Sequence, residues 1–326
     1  MKPTGLSRRR FLSITAAGVA LAGGGAAGAG AGADAGAGAG AGAGAEALYR
    51  WQGIALGAHA TIALAHPDAE RLVARARDEI ARLEAIFSLY RPDSALARLN
   101  AAGRLADPPL ELLECLSLCA AAHDITQGAF DPTVQPLWAL YARRAEAGVR
   151  PGEAELRQAL GAVGWAHVRT SADAISLARP GMALTLNGIA QGYIADRVAA
   201  LLRAEGLRNV LVDTGEIAAL GHPPGQAAWP VSLRDPEGRL VGRVRLGDRA
   251  LATSAPLGTR IGAGGAGHIL DPRSGLPAAP RWSLVSVTAP SAAWADALST
   301  AGCLMARADF ARAVGAVPGA AIAHLG

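Results

Sequence analysis

A nine-residue stretch bounded by two glycines, residues 267–275, holds the side chains best suited to chemistry in this sequence. It reads Gly-His-Ile-Leu-Asp-Pro-Arg-Ser-Gly and so brings together an imidazole, a carboxylate, a guanidinium and a hydroxyl. A glycine cluster at residues 262–267 comes just before it, and Trp-Ala-Asp-Ala-Leu-Ser-Thr at residues 294–300 follows it. A flexible loop, a polar turn and an oxygen-bearing helix in this order favour binding of a phosphorylated ligand through a hard metal ion.

The same stretch has a simpler interpretation as a turn. Pro272 fixes its own backbone and Gly275 accepts a positive φ, so residues 271–275 are good turn residues without any ligand. The rest of the chain decides between the two interpretations.

Hydrophobic periodicity predicts the elements that must position these residues. Helices are predicted over residues 67–87, 110–125, 153–162, 194–205 and 292–307, and Asp93 or Ser94 can cap a further short helix. Strands are predicted over residues 51–65, 164–177, 184–187, 209–212, 231–235, 240–246, 251–254 and 282–289, with a hairpin turn at 235–238.

The predicted elements determine the orientation of several side chains and backbone groups. Asp296 and Thr300 are four residues apart and share one helix face. Asp131 precedes a proline, which forces an extended backbone and projects the carboxylate from a turn. The glycine-punctuated turn at residues 187–192 offers free backbone amides and carbonyls. A close backbone approach is expected at residues 56–58, Leu-Gly-Ala.

Composition narrows the class of protein. The 326 residues carry a formal net charge of +4, which permits one large domain or two small ones. The excess positive charge is arginine at the N-terminus and along helices rather than a basic stripe with interleaved aromatic residues, so nucleic-acid binding is not expected. The cysteines Cys115, Cys119 and Cys303 have no zinc-site spacing and are expected to be small core residues.

The N-terminus is similar to a twin-arginine export signal. Residues 7–12, Ser-Arg-Arg-Arg-Phe-Leu, precede a short apolar run that is interrupted by glycine. We assign residues 1–33 to this signal, residues 34–47 to a Gly/Ala-rich linker and residues 48–326 to one catalytic domain. No cysteine follows the apolar run to accept a lipid, so a soluble, periplasmic protein is expected.

Five ordered motifs resemble one family, the ApbE family of magnesium-dependent FAD:protein FMN transferases. They lie at residues 87–94 with 99–100, then at 128–133, 187–193, 267–275 and 295–300. The resemblance implies an α+β, ApbE-like fold with mixed or antiparallel sheets flanked by helices. It also implies Mg²⁺ as cofactor and FAD as substrate. Such enzymes cleave FAD, attach FMN through its phosphate to a threonine or serine of an acceptor protein, and release AMP.

The resemblance also assigns roles to residues. The main-chain carbonyl of Gly188 and the side chains of Asp296 and Thr300 are implied metal ligands, and oxygen donors suit Mg²⁺. His268 is implied to deprotonate or orient the acceptor hydroxyl, a task that suits imidazole near neutral pH. The implied FAD-binding residues are Leu56, Tyr90, Ala129, Phe130, Asp131, Thr185, Gln191 and Ile269.

Two positions depart from the commoner pattern of the family. Thr185 and Gln191 stand where many relatives have an aspartate and a lysine, so one negative and one positive group are exchanged for neutral ones. This form, combined with a twin-arginine signal, is similar to the NosX-type members, which are associated with flavinylating the membrane regulator of nitrous-oxide respiration. The expected acceptor is therefore a membrane or periplasmic flavoprotein.

Two other functions fit the same residues. If water replaced the acceptor hydroxyl, the protein would be an FAD pyrophosphatase that yields FMN and AMP. If FAD stayed intact and tightly bound, the protein would be a flavin carrier. Incubation with FAD and Mg²⁺ in the absence of an acceptor discriminates between these outcomes.

Overall fold

A computed structural model describes residues 47–262 and 266–326, together with the backbone of two short strands, β1 (Leu12–Ile14) and β2 (Ala20–Leu21). The predicted export signal and linker otherwise lie outside the described residues. Among the helices of the described part, none combines the length and apolar character that a membrane span requires.

Eight helices fold from the described residues. They are α1 (Ala69–Phe87), α2 (Ala95–Ala102), α3 (Leu110–Ile125), α4 (Gln135–Glu146), α5 (Glu153–Leu160), α6 (Ala190–Ala204), α7 (Ala292–Gly302) and α8 (Arg307–Gly315). Ser94 is the N-cap of α2, as predicted, because its side chain accepts the Ala97 N–H. Helix α4 was not predicted from the sequence, although Pro136 in its first turn is a position that starts helices.

Together with β1 and β2, the remaining strands form four antiparallel sheets, one large and three small. They are β3 (Tyr49–Ala55), β4 (Ala58–Leu64), β5 (Arg104–Ala106), β6 (Val168–Thr170), β7 (Ala174–Leu177), β8 (Val210–Asp213), β9 (Ile217–Leu220), β10 (Trp229–Arg234), β11 (Leu240–Leu246), β12 (Arg249–Ser254), β13 (Thr259–Ile261), β14 (Ala266–Gly267), β15 (Val285–Ala289) and β16 (Ala321–Leu325). The largest sheet has seven strands in the order β16-β15-β12-β9-β8-β4-β3. The predicted α+β class is confirmed, and the strand pairings of the described residues are all antiparallel.

The seven-stranded sheet is buried on both faces. Ile62 and Leu64 of β4 belong to the main core beneath the helices, whereas Ala63 between them packs on the other face with Trp229 and Leu246 of the β10–β11 hairpin. This alternation is the period of two that a strand imposes on its side chains. The sheet therefore supports helices on one face and a hairpin on the other.

The single strand predicted over residues 51–65 is wrong, because the chain turns back in the middle of it. Strands β3 and β4 form a hairpin whose two-residue loop, Leu56 and Gly57, has φ angles of 46° and 80°. Two successive positive φ values match the twist of paired strands. Leucine rarely adopts such a conformation, so residues 56–58 were predicted only as a close backbone approach and not as a turn.

Other boundaries also differ from the predictions. Residues 184–187 form no strand: the Asn100 side chain instead donates to the Leu184 carbonyl at 2.8 Å and accepts its N–H at 2.7 Å. Helix α6 begins at Ala190, four residues earlier than predicted. The helix predicted to reach Arg307 ends at Gly302, where an i→i+3 bond from Leu304 to Ala301 tightens the last turn. Strand β15 begins at Val285 rather than at residue 282.

Candidate functional site

One cleft of about 530 Å³ gathers all the residues to which the sequence assigned a role. Its lining includes Leu56, Tyr90, Ala129, Phe130, Asp131, Thr185, Gly188, Gln191, His268, Ile269, Asp296 and Thr300. These residues come from six separated parts of the chain, so the fold brings together what the sequence keeps apart. Their individual roles remain predictions.

Close packing of α6 against α7 builds one wall of the cleft. A Cβ atom at Gly192, in the first turn of α6, would lie 2.2 Å from the Ala292 carbonyl oxygen, so only glycine allows this approach. Asp196, one turn further along α6, accepts the N–H groups of Ala292 and Ala293 at 2.8 and 3.0 Å. The N-terminus of α7 is thus capped by a carboxylate of α6, which fixes one helix on the other.

The three predicted metal ligands meet at this wall. A Cβ atom at Gly188 would lie 3.0 Å from the Thr300 hydroxyl oxygen, so the loop before α6 touches α7 at this point. Asp296 lies one helical turn before Thr300 and also faces the cleft. From β12, the Ser254 hydroxyl lies 2.7 Å from that of Ser299 and 3.4 Å from that of Thr300.

Two carboxylates at this wall are buried, and within residues 47–262 and 266–326 neither has a cationic partner. Asp296 is 2% exposed and accepts the Gly192 N–H at 3.3 Å, while Glu216 is 8% exposed and accepts the Thr253 N–H at 3.1 Å. Burial, together with the nearby charge of Asp196, raises the pKa of Asp296 to about 8. Burial also raises the pKa of Glu216 well above its ordinary value, and the charge of Asp296 adds to the effect.

This chemistry fits a hard divalent cation. The predicted donors at this wall are the Asp296 carboxylate, the Thr300 hydroxyl and the main-chain carbonyl of Gly188, and Mg²⁺ takes oxygen ligands while keeping positions for water and phosphate. Among the described residues, no three histidine, cysteine or acidic side chains form a cluster that could hold a metal ion. A cation at Asp296 would remove the penalty of two buried, unpaired acids.

His268 also lines the cleft, and its ring has a defined tautomer. Its Nδ1 atom lies 3.1 Å from the Thr259 carbonyl oxygen, which can only accept, so Nδ1 carries the proton. The other ring nitrogen, Nε2, is therefore the atom that can take up a proton. Burial lowers the pKa of His268 below its ordinary value, which keeps the imidazole neutral near pH 7.

The turn interpretation of residues 267–275 is confirmed for residues 271–275, and the binding interpretation stays a prediction for the residues that line the cleft. The Gly275 N–H donates to the Asp271 carbonyl at 2.8 Å, and Arg273 donates twice to the Asp271 carboxylate at 2.9 and 2.8 Å. These residues form a turn that lies outside the cleft lining. His268 and Ile269, by contrast, line the cleft. The turn at residues 271–275 therefore fixes the chain shortly after His268 and Ile269, the two residues that face the site.

The carboxylate of Asp131 finds its hydrogen-bond donors within the protein. Asp131 has the extended backbone that was predicted, with φ −142° and ψ 107°. Its carboxylate accepts the N–H and hydroxyl of Thr133 at 2.8 and 2.6 Å and the Trp165 N–H at 3.3 Å. Phe130 is buried beside it, and Tyr90 lies at the rim with 40% of its surface exposed.

The two positions that depart from the family pattern also face the cleft. The Thr185 N–H donates to the Pro132 carbonyl at 2.8 Å and so ties the loop before α6 to the Asp131 wall. The side-chain amide of Gln191 lies against Gly215, and the Gln191 carbonyl accepts the Thr214 hydroxyl at 2.8 Å. Both side chains are neutral where they face the site.

Sequence reasoning gave no role to several other lining residues. The most important is Glu216, which follows strand β8 in the polar turn Asp-Thr-Gly-Glu; Thr253, Ser254 and Asn187 are the others of note. A strand running into a glycine-containing polar turn was the available signal for Glu216. Thr253 and Ser254 carried no comparable signal, because their importance depends on the pairing of β12 beside β9.

Comparison with known proteins agrees with this geometry. The sequence model of the ApbE family matches residues 56–322. The FAD:protein FMN transferase of Treponema pallidum is 33% identical over 243 residues, which cover 67% of this chain and 67% of that protein. That of Klebsiella pneumoniae is 29% identical over 243 residues, with 71% and 74% covered.

Solved structures share the fold. The ApbE protein of Thermotoga maritima superposes with a TM-score of 0.76 at 27% identity, covering 85% of this chain and 93% of that one. The flavin transferase ApbE of Vibrio cholerae gives a TM-score of 0.73 at 26% identity, with 83% and 91% covered. With the family match spanning most of the described residues and the motif residues converging on one cleft, the chain belongs to the ApbE family.

Proposed function

We propose that the cleft binds FAD with Mg²⁺ and transfers the FMN half to a threonine or serine hydroxyl of an acceptor flavoprotein. The protein is an FAD:protein FMN transferase, and FAD is its substrate. The observation that carries the proposal is the buried, unpaired Asp296 carboxylate beside Thr300 and Gly188, because this arrangement needs a cation and offers it oxygen donors.

The reaction exchanges one phosphoester partner for another. The acceptor oxygen attacks the phosphorus of the FMN half, the bond from that phosphorus to the bridging oxygen breaks, and AMP leaves with the bridging oxygen. The proton of the acceptor hydroxyl moves to Nε2 of His268. Atoms balance because FAD and the hydroxyl yield FMN-O-protein and AMP.

The residues of this chain supply position and proton acceptance. The Thr259 carbonyl holds the His268 ring in the tautomer that exposes Nε2 as a base. Gly188, Asp296 and Thr300 would hold the cation, which supplies charge neutralisation on the diphosphate oxygens. The apolar side chains of Leu56, Phe130 and Ile269 offer contact surface to the flavin and adenine rings.

The N-terminal sequence bears on the compartment, and two residues of the cleft bear on the acceptor. A twin-arginine-like signal supports export to the periplasm, and the neutral pair Thr185 and Gln191 supports a NosX-like acceptor, a flavoprotein of nitrous-oxide respiration at the membrane. Flavin labelling of membrane proteins in cells that lack this gene tests the acceptor. Unchanged labelling would contradict this choice.

Mass spectrometry of a threonine-bearing acceptor peptide tests the chemistry. With FAD and Mg²⁺, the peptide should gain the mass of FMN minus water while AMP appears in equal amount. Without peptide, FAD should remain intact. Release of FMN and AMP without peptide would indicate a pyrophosphatase, and intact bound FAD in both reactions would indicate a carrier.

A further inference from the structure

A row of three hydroxyl groups joins strand β12 to helix α7 beside the predicted metal ligands. Ser254 is the last residue of β12, and its Oγ lies 2.7 Å from Oγ of Ser299 and 3.4 Å from Oγ1 of Thr300. The Ser299 hydroxyl also lies 3.1 Å from the main-chain carbonyl oxygen of Asp296. The proposed function uses Thr300 and Asp296 but gives the two serines no task.

The carbonyl at one end of this row fixes the direction of every proton in it. A carbonyl oxygen can only accept, so the Ser299 hydroxyl donates its single proton to Asp296. Ser254 must then donate to Ser299, because two hydroxyl oxygens 2.7 Å apart share one proton. With its own proton used, Ser254 can only accept from Thr300. The Thr300 proton therefore points along the row.

This direction decides what Thr300 offers to the cleft. A hydroxyl group binds a cation through an oxygen lone pair, so its proton must point away from the metal. Ser254 takes that proton, which leaves the lone pairs of Thr300 for the cleft. Among the described residues that line the cleft, Ser254 and Thr300 are present and Ser299 is not. Ser299 is also fully buried, so it can act on a ligand only through Ser254.

We propose that Ser254 and Ser299 are positioning residues, whose hydroxyl groups turn the Thr300 proton away from the cleft and so prepare Thr300 to bind the cation. The inference rests on the proposed function, which puts the cation at Thr300. It goes beyond that function by giving a task to Ser299, which does not reach the cleft. Partners that orient metal ligands contribute about 10- to 100-fold in metal affinity.

The test measures the affinity of the full chain for Mn²⁺, used as a paramagnetic substitute for Mg²⁺, by electron paramagnetic resonance with FAD present and acceptor absent. Ser299→Ala should lower this affinity by about 10-fold. The reason is that the Ser254 proton loses its acceptor and turns towards Thr300, whose own proton then points into the cleft. Ser254→Ala should cause a similar loss, and Ser254→Thr, which keeps the hydroxyl, should bind Mn²⁺ as the wild type does.

A double variant separates positioning from general damage to the fold. Without the Ser254 hydroxyl, Ser299 has no route to Thr300, so Ser254→Ala combined with Ser299→Ala should bind Mn²⁺ as weakly as Ser254→Ala alone. Ser286→Ala is the matched control. Ser286 is fully buried in β15 and its hydroxyl lies 2.9 Å from that of Thr253, so this variant loses an equivalent hydrogen bond outside the row. Its Mn²⁺ affinity should equal that of the wild type.

Unchanged Mn²⁺ affinity in folded Ser299→Ala, or equal losses in Ser299→Ala and Ser286→Ala, would overturn this inference alone. Losses that multiply in the double variant would overturn it too, because the two serines would then act independently. If Ser299→Ala does not fold, the pair at position 254 decides: equal affinities of Ser254→Ala and Ser254→Thr would exclude a role for the hydroxyl. Absence of Mn²⁺ binding by the wild type would overturn the proposed function as well.

Discussion

Asp131 and Asp296 face the same cleft, yet their surroundings differ in kind. Asp131 accepts three hydrogen bonds from Thr133 and Trp165, all within its own wall. Asp296 is more deeply buried and accepts a single long bond, from Gly192. A buried carboxylate whose hydrogen bonds come from the protein stabilises the fold. One that receives few hydrogen bonds from the protein is available to a ligand.

The difference extends to the elements that carry the two acids. Asp131 sits on an irregular segment that its own hydrogen bonds organise. Asp296 sits on α7, which Asp196 caps and Gly192 holds against α6, so its position is set by elements other than its own carboxylate. Removing the Asp131 side chain should therefore damage the fold first, and removing that of Asp296 should damage function first.

The largest expected effect is loss of transfer in Asp296→Asn. Without the carboxylate the cation loses the one charged side chain among its three predicted protein ligands, and charge neutralisation of this kind is worth several kcal/mol, or about 10³-fold or more in rate. FMN transfer to the peptide should fall to background while the far-ultraviolet circular dichroism spectrum stays native. A variant that retains more than a tenth of wild-type transfer would place the cation elsewhere.

His268→Ala should lower transfer by about 100-fold and leave FAD affinity within a few-fold of wild type, because the ring acts on the acceptor proton. In the wild type, the pH–rate profile should fall on the acid side with a midpoint below 6.5, since burial depresses the pKa and the base form persists to lower pH. A midpoint above 6.5, or equal rates for the two proteins, would remove His268 from the proton transfer.

Metal-free stability should depend on pH through Asp296. Its folded pKa of about 8 exceeds the ordinary value of 3.8, so the folded state holds a proton that the unfolded state releases. The contribution of Asp296 to stability is fully present below about pH 4, declines as the pH rises towards 8 and is lost above it. The Tm in EDTA should fall between pH 5 and 8, Mg²⁺ should reverse the fall, and Asp296→Asn should flatten it.

Gly192→Ala tests whether α6 and α7 position the metal ligands. The added methyl group would meet the backbone of Ala292, and overpacking of this kind costs about 1 to 3 kcal/mol in the free energy of unfolding. Mg²⁺ affinity, measured by calorimetry, should fall with it because Gly188 and Thr300 move apart. Ala195→Gly, on the same helix, controls for loss of helix stability without forcing the helices apart.

The smallest effect on chemistry is expected for Asp131→Ala. Loss of its hydrogen bonds should lower the free energy of unfolding by about 1 to 3 kcal/mol, at roughly 1 kcal/mol for each bond. The KM for FAD should rise while kcat changes little. Asp131→Asn keeps an acceptor for Thr133, so its free energy of unfolding should lie between those of Asp131→Ala and the wild type. A large loss of kcat in a variant that keeps its stability would contradict the contrast with Asp296.

The resemblance to the ApbE family predicted the convergence of the site but not all of its parts. Asp296 and Thr300 were placed on one helix face because helical spacing is regular, and the extended backbone of Asp131 follows from Pro132 alone. The Leu56–Gly57 turn was missed because a leucine at positive φ is held by the hairpin rather than by its own preference.

Glu216 shows why other parts of the site escaped prediction. Its burial depends on β9 pairing beside β12, which brings Thr253 to its carboxylate and Asp296 into electrostatic range. No local pattern reports such a long-range pairing. Similarly, Leu99-Asn100 was recognised as a motif, but its physical task, fixing the backbone of Leu184, is visible only in the fold.

A crystal structure of the complex with FAD and Mg²⁺ tests the central claim most directly. We predict a single cation about 2.0–2.1 Å from the Asp296 carboxylate, the Thr300 hydroxyl and the Gly188 carbonyl, with oxygens of the FAD diphosphate completing its coordination. A cation bound away from these three groups, or a diphosphate bound in the cleft with no cation near Asp296, would contradict it.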